Sequence, residues 1–365
     1  MTTREEEQRR QHGPSSDGPS GGVDLTDYVP DDILVHILGL LPTMADVLRA
    51  CAVSRRWGLL AARVPSLRFA IELIPDNSDL KHQNKVDRFI TFINHVLAKR
   101  AVQSDGLIEE LSILFEPDYG SLGTHQVPTS IIDGAHVKSW IKYGMQHVTK
   151  SLVLMLDLPL PSWWSINEGM VDLHELPNST RLETMMLSLK YASLRLPATV
   201  VAFNSLTDLR LQEIRLTAGS ERLFSRLLSS ACCPRLRKLS LLEVAGITEL
   251  QLEAGQLSEL TLESFQDHLN GRNLSRLELN TPNLRFLDID HDILDVLTIS
   301  APRLEELTST FVGWSDIKQL NVGDLSCVRS IKDLELNSDG HPLDDAGIHS
   351  FVYVFSRVNG HVGTL

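Results

Sequence analysis

The residues of this 365-residue chain whose types could do chemistry are few and dispersed. Its four cysteines form no CxxC pair, so neither a disulfide framework nor a Cys-type zinc site is expected. Cys232 and Cys233 are vicinal where a repeating unit begins, and at least one should be buried as a small hydrophobe. His291 between Asp290 and Asp292 comes nearest to a metal-ligating cluster, but polar residues at the end of a strand are ordinary turn chemistry. There is no GxSxG elbow, no GxxxxGK[ST] loop, no GxGxxG and no HExxH. Gly18, Gly21 and Gly22 precede no phosphate-binding helix. Trp163 and Trp164, after Pro159 and Pro161, read as core or as an exposed recognition loop. No catalytic residue, metal or cofactor is expected, and no constellation supports an enzyme. What remains is binding, and binding depends on which elements present which side chains.

Two kinds of element follow one another. Residues 1–26 lack hydrophobic periodicity and read as a disordered tail. Pro30 then suits the first turn of a helix, Asp31 and Asp32 suit its positive end, and Ile33, Leu34, Ile37, Leu38 and Leu41 recur at helical spacing. Pro42 stops that helix. Thr43 with Asp46 starts a second, carrying Val47, Leu48 and Cys51, and Ser54 caps a third through Arg63, with Trp57 and Leu60 on its apolar side. So short a helical segment cannot bury all these side chains by itself. It either packs on the rest of the chain or keeps an apolar face for a partner.

Beyond Leu67, strand and helix patterns alternate: strands at Phe69–Leu73, Leu111–Phe115 and Leu152–Leu156, helices at Val86–Lys99 and Val137–His147. From Leu206 the pattern L-x-x-L-x-L recurs, as in Leu236, Leu239, Leu241 and Leu284, Leu287, Ile289, the mark of a leucine-rich solenoid. Copies starting at 274, 284, 294 and 304 are ten apart, and Pro precedes every second one (Pro282, Pro302). That predicts coils of about 20 residues with a Pro-marked major strand and a minor strand on the opposite face. Arg222–Ser230 should be the last good helix, and Phe265–Arg272 reads as an inserted loop. The fold class expected is an α/β solenoid of parallel strands, with helices mainly in the early repeats. On the Pro-marked row, side chains between the leucines point away from the core, which nominates Arg210, Lys238, Glu259, Phe286, Asp288 and Glu306 as partner-facing. Ser240, Thr261 and Thr308 share that row.

The segment Val29-Pro30-Asp31-Asp32-Ile33-Leu34-x-x-Ile37-Leu38-x-x-Leu41-Pro42-Thr43, followed by Val53-Ser54-Arg55-Arg56-Trp57, resembles the F-box motif. With Val86-Asp87-Arg88-Phe89, Val137-Lys138-Ser139-Trp140-Ile141 and Cys233-Pro234-Arg235-Leu236 in that order, the chain is similar to plant F-box/leucine-rich-repeat (F-box/RNI-like) proteins from about Tyr28 to Leu336. Val29 replaces the commoner Leu before the Pro, and Leu60 stands where many members have a second Trp. The FBD-type domain of many relatives is not evident, so residues 346–365 read as a tail or a truncated domain.

The resemblance implies an F-box over 27–67 and repeats over 68–345. It implies the substrate-recognition subunit of an SCF-type ubiquitin ligase, non-catalytic itself, in the cytoplasm or nucleus. The F-box would bind a Skp-family adaptor, and through it cullin and RING subunits, while the repeats would bind a protein to be ubiquitinated. Candidates for the adaptor interface or its support are Pro30, Ile33, Leu34, Ile37, Leu38, Leu41, Pro42, Val47, Leu48, Val53 and Trp57, with Pro30, Leu34, Leu38 and Pro42 as the expected anchors. A leucine-rich scaffold without ligase function is the alternative. An extracellular repeat protein is suggested only by the sequons at Asn178 and Asn273, and the charged Met1–Arg10 segment opposes it.

Charge bears on partners. The chain has 34 basic and 47 acidic residues, a net of −13. Glu243–Asp345 holds 20 acidic and 7 basic residues, also −13, which leaves 27 of each elsewhere. Such a balance argues against coating nucleic acid or an anionic membrane, and no apolar run reaches the ~18 residues of a membrane span. A protein docking on the late repeats should present a basic surface.

Overall fold

The computed structural model describes residues 28–52, 54–73, 79–102, 107–117, 132–156, 170–174, 176–179, 181–199, 201–267, 272–290, 294–309, 317–323 and 326–332. The expected tails, Val53, Trp163, Trp164 and His291 lie outside the described residues.

Short helices come first: α1 (Asp31–Gly39), α2 (Met44–Cys51) and α3 (Arg55–Leu60), which tightens into a 3-10 turn over Ala61–Arg63. Their starts obey the local chemistry of the sequence. The Thr43 hydroxyl accepts from the Asp46 amide at 3.3 Å and donates to the Asp46 carboxylate at 2.7 Å, a reciprocal cap that also lowers the Asp46 pKa. Ser54 Oγ accepts from the Arg56 amide at 3.3 Å.

Strand–helix units follow: β1 (Ser66–Leu73), α4 (Asp79–Ala101), β2 (Ile108–Pro117), α5 (Gly134–His147) and β3 (Val148–Leu156). Next come β4 (Met170–Asp172), β5 (Thr184–Arg195), β6 (Asp208–Leu216), α6 (Glu221–Leu227) and β7 (Lys238–Ala245). Past α6, the last α-helix among the described residues, the chain runs through short strands. These are β8 (Glu249–Glu253), β9 (Glu259–Glu263), β10 (Gln266–Asp267), β11 (Arg272–Asn273), β12 (Arg276–Asn280) and β13 (Phe286–Asp290), then β14 (Val296–Ser300), β15 (Glu306–Ser309), β16 (Gln319–Val322) and β17 (Ser330–Lys332).

The strands sort into two parallel sheets. The main one runs β1-β2-β3-β5-β6-β7-β9-β13-β15-β17 with β4 beside β5, and the second runs β16-β14-β12-β8. The Pro-marked copies at 284 and 304 enter the main sheet as β13 and β15, and the unmarked copies at 274 and 294 enter the second as β12 and β14. From β13 to β15 the step is 306 − 286 = 20 residues, the expected coil. From β9 to β13 it is 286 − 259 = 27, because the expected loop is instead the antiparallel pair β10–β11. The result is an α/β repeat fold.

The core lies between the main sheet and whatever covers its inner face. Early on that cover is helical. Val86, Ile93 and Leu97 of α4 are buried, Phe92 meets Phe69 edge-on with ring centroids 5.6 Å apart, and buried Trp140 of α5 donates to Asn94 Oδ1 at 2.9 Å. Gly144 lets α5 close on β3, since a Cβ there would sit 2.7 Å from the Leu152 side chain. Later the second sheet takes over, and Leu260, Leu262, Leu287 and Ile289 share the core with Leu277, Leu279, Leu297 and Ile299. One backbone feature recurs in the main sheet: Lys190, Glu213, Glu243 and Ser264, within or just after β5, β6, β7 and β9, all have φ between 46° and 53°. Left-handed non-Gly residues disfavour straight pairing, and the β5–β6 register shifts at this level, between Ser188 and Ala192.

Candidate functional site

Among the described residues, two surfaces are candidates for a partner. The first is built on α1. Two neighbouring stripes of that helix are apolar, and the fold divides them. Leu34 and Leu38 turn inward, 1% and 0% exposed, and join Met44, Val47 and Leu60 in the core. Ile33, Ile37 and Leu40 occupy the adjacent stripe and stay exposed. Six of the nine large apolar side chains exposed among the described residues lie between Tyr28 and Leu59: these three with Tyr28, Leu48 and Leu59. Tyr28 and Leu59 are both 77% exposed. Concentration in so short a segment separates a patch from scattered exposed leucines.

The structure thereby redistributes the expected adaptor residues. Ile33, Ile37 and Leu48 are on the surface with Pro30 and Pro42; Leu41 and Trp57 are half-buried. Leu34, Leu38 and Val47 are buried, so the Leu34–Leu38 pair expected among the contact anchors lies in the core of the chain. Sequence reasoning missed Tyr28, Leu40 and Leu59. Tyr28 precedes the motif that drew attention, Leu40 fills one of its unspecified positions, and Leu59 sits beside the inward Leu60.

This patch is held against the repeats by arginines. Arg56 bonds Asp31 at 2.5 Å and the Val29 carbonyl at 2.6 Å, pinning the start of α1 to α3. Arg63 reaches Asp32 at 3.2 Å. Arg68 on β1 makes a forked contact with Glu110 on β2, closest at 2.8 Å, and donates to the Gly39 carbonyl at the end of α1 at 3.1 Å. The Glu110 bonds raise the Arg68 pKa. Arg100 at the end of α4 donates to the Val64 carbonyl, and burial lowers its pKa. Asp31 and Asp32, expected only as helix-dipole partners, are thus also clamps.

The second surface is the outer face of the main sheet. Strand pairing lines up its outward positions in rows. One row runs Ser66, Glu110, Ser151, Thr184, Asp208, Lys238, Glu259, Phe286, Glu306 and Ser330. The next includes Val153, Met186, Arg210, Ser240, Thr261, Asp288 and Thr308, and a third brings Glu263 beside Asp290. All six nominated residues lie on this face, in the first two rows. Glu263, Asp290 and Asp208 were missed, although they sit two residues along the same strands. Lys238 binds Glu259 at 2.7 Å, while burial raises the Asp208 pKa, with Lys238 opposing and Glu259 adding. Phe286 is 39% exposed, and Arg285 Cζ lies 5.6 Å from its ring centroid.

Among the described residues there is no group of three or more His, Cys, Asp or Glu placed to hold a metal, and no helix is long and apolar enough to cross a membrane. Cys232 and Cys233 are both buried; Cys233 donates to the Leu227 carbonyl at 3.3 Å, and burial pushes its thiol up to about 12.

Comparison with known proteins converges on the helical segment and the repeats together. A family model described as F-box-like matches residues 26–69. An FBD-associated F-box protein of Arabidopsis thaliana is 26% identical over 288 residues, 78% of this chain and 55% of that protein. An F-box/FBD/LRR-repeat protein of the same plant is 26% identical over 271 residues, 73% of this chain and 55% of its own length. F-box/LRR-repeat protein 25, also from that plant, is 25% identical over 241 residues, 66% of this chain and 76% of its own. The chain spans about half the length of the first two. Residues 26–69 match the F-box-like family, and with the parallel-stranded repeats that follow them the chain is similar to plant F-box/leucine-rich-repeat proteins.

Proposed function

We propose that this chain is the substrate-recognition subunit of an SCF-type ubiquitin ligase. The F-box, residues 27–67, binds a Skp-family adaptor that bridges to cullin and RING subunits. The repeats, within residues 68–345, form a solenoid whose open sheet face binds the protein to be ubiquitinated. The receptor makes and breaks no bonds: it brings a substrate to an enzyme held elsewhere in the assembly. It works in the cytoplasm or nucleus, where the adaptor and cullin are.

The observation that carries this reading is the exposed stripe Ile33, Ile37 and Leu40, with Tyr28, Leu48 and Leu59, on the segment matched by the F-box-like family. A neutral apolar patch of this kind is stable in water when a partner covers it. Arg68 and Arg100 fix the patch relative to the sheet, so a substrate on the sheet is held at a defined place relative to the adaptor. The test is affinity purification of the tagged full chain followed by mass spectrometry, comparing wild type with Ile33→Asp/Ile37→Asp. Adaptor and cullin should vanish together from the variant while substrate proteins persist. A variant that still brings down adaptor and cullin removes the assignment.

A further inference from the structure

The outward positions of β9, β13 and β15 carry five carboxylates, two threonines and Phe286, with no lysine or arginine. Phe286 lies in register between Glu259 and Glu306, and Glu263 lies directly opposite Asp290. Like charges paired across neighbouring strands oppose folding. An exposed aromatic ring among carboxylates is the chemistry that receives guanidinium and ammonium groups. The chain supplies its own instance: Arg285 sits 5.6 Å from the Phe286 ring centroid while giving Glu305 bonds of 2.9 and 3.0 Å.

We propose that this part of the sheet binds an arginine- or lysine-rich segment of a protein, with Phe286 as its central contact and Glu263, Asp288 and Asp290 as its charge partners. Calling that protein the substrate rests on the receptor reading above; the contact itself does not. Charge complementarity also says the occupant comes from outside this sequence. Residues 1–27 set Arg4, Arg9 and Arg10 against Glu5, Glu6, Glu7, Asp17, Asp24 and Asp27. Residues 333–365 hold one basic residue, Arg357, against five acids. The remaining stretches outside the described residues contain neither lysine nor arginine. None of these segments can neutralise the face.

The second sheet is the internal control. Its outward Glu249, Glu253 and Glu278 remove the same charge when neutralised, but they sit beside Arg222, Arg226 and Arg276, with Arg276 bonded to Glu278 at 2.5 Å. The probe is a short fluorescein-labelled peptide of arginine, lysine and one tryptophan, titrated with the full chain and read by anisotropy. Glu263→Gln/Asp288→Asn/Asp290→Asn should raise its Kd about tenfold, and Phe286→Ala by about fivefold. Glu249→Gln/Glu253→Gln/Glu278→Gln should change it less than about twofold, and binding should weaken as salt rises from about 0.05 to 0.5 M.

Equal losses in the two triple variants mean diffuse attraction to an acidic protein and overturn the proposal, as does no loss in either. A salt-independent dimer that Phe286→Ala dissolves assigns the face to a second copy and overturns it too. Adaptor capture, measured on the same samples, keeps the two readings apart: lost peptide specificity with intact adaptor capture removes only the basic partner, and the reverse removes only the receptor.

Discussion

Around α1 the exposed large apolar side chains are Ile33, Ile37 and Leu40, whereas on β9 and β13 the exposed positions include Glu263, Asp288 and Asp290. The first surface gains by removing hydrocarbon from water, which depends little on ionic strength. The second works through charge, which salt screens over about 8 Å at physiological strength. Both are anchored to the same core, since Leu34 and Leu38 beneath the first and Leu287 and Ile289 beneath the second belong to one continuous buried cluster. The difference teaches that a constant neutral contact and a selective charged one can be separated in one chain by which stripe or strand edge faces out. Adaptor binding should therefore survive salt that abolishes binding at the sheet.

The largest effect should come from confusing the two stripes of α1. Leu34→Asp/Leu38→Asp buries carboxylates in the core and should cost more than about 3 kcal/mol, read as loss of the cooperative melting transition. Ile33→Asp/Ile37→Asp puts the same groups in water and should leave the melting temperature within a few degrees, about 3 °C or less. If both pairs melt alike, the division of the helix into inner and outer stripes is wrong. A smaller contrast holds on the sheet. Leu287→Ala removes a fully buried side chain and should cost about 2–5 kcal/mol by urea denaturation. Its neighbour Phe286→Ala should cost well under about 1 kcal/mol, so that its effect on binding is not an effect on folding.

The acid row offers a subtler separation. Burial raises the Asp208 pKa above its ordinary 3.8, so folding favours the protonated form. Its stabilising contribution is complete below pH 3.8 and is lost as pH rises through the folded value. Asp208→Asn should match wild type in acid and be the more stable of the two near neutrality, by urea midpoints across that range. A wild type that gains on the variant as pH rises would reverse the sign. The smallest signal is chemical: exposed Cys327 should react with a thiol reagent at neutral pH, and Cys233 should wait for denaturant.

Much of the architecture is legible in the sequence because period and punctuation carry it. Pro282 and Pro302 separate the main-sheet copies from the second-sheet copies, and Thr43 and Ser54 start α2 and α3 as their side chains dictate. The α1 surface was legible only in part. Ile33, Leu34, Ile37 and Leu38 are all large and apolar, so spacing marks an apolar arc but not which half the neighbours cover. The clamps from Arg56, Arg63 and Arg68 join residues 25–42 positions apart, beyond any local pattern. The left-handed bends at Lys190, Glu213 and Glu243 use residues with no turn signature. The row of acids was visible as composition, but only strand register sets Glu263 beside Asp290 and Phe286 between Glu259 and Glu306.

The central claim is that the outer stripe of α1 is the adaptor contact. The direct measurement is the affinity of purified Skp-family adaptor for the full chain, with wild type and Ile33→Asp/Ile37→Asp compared at low and high salt and the melting temperature recorded for each. The account predicts tight, salt-insensitive binding by wild type and a loss of at least about a hundredfold in a variant that melts normally. Undiminished binding by a normally folded variant would contradict it.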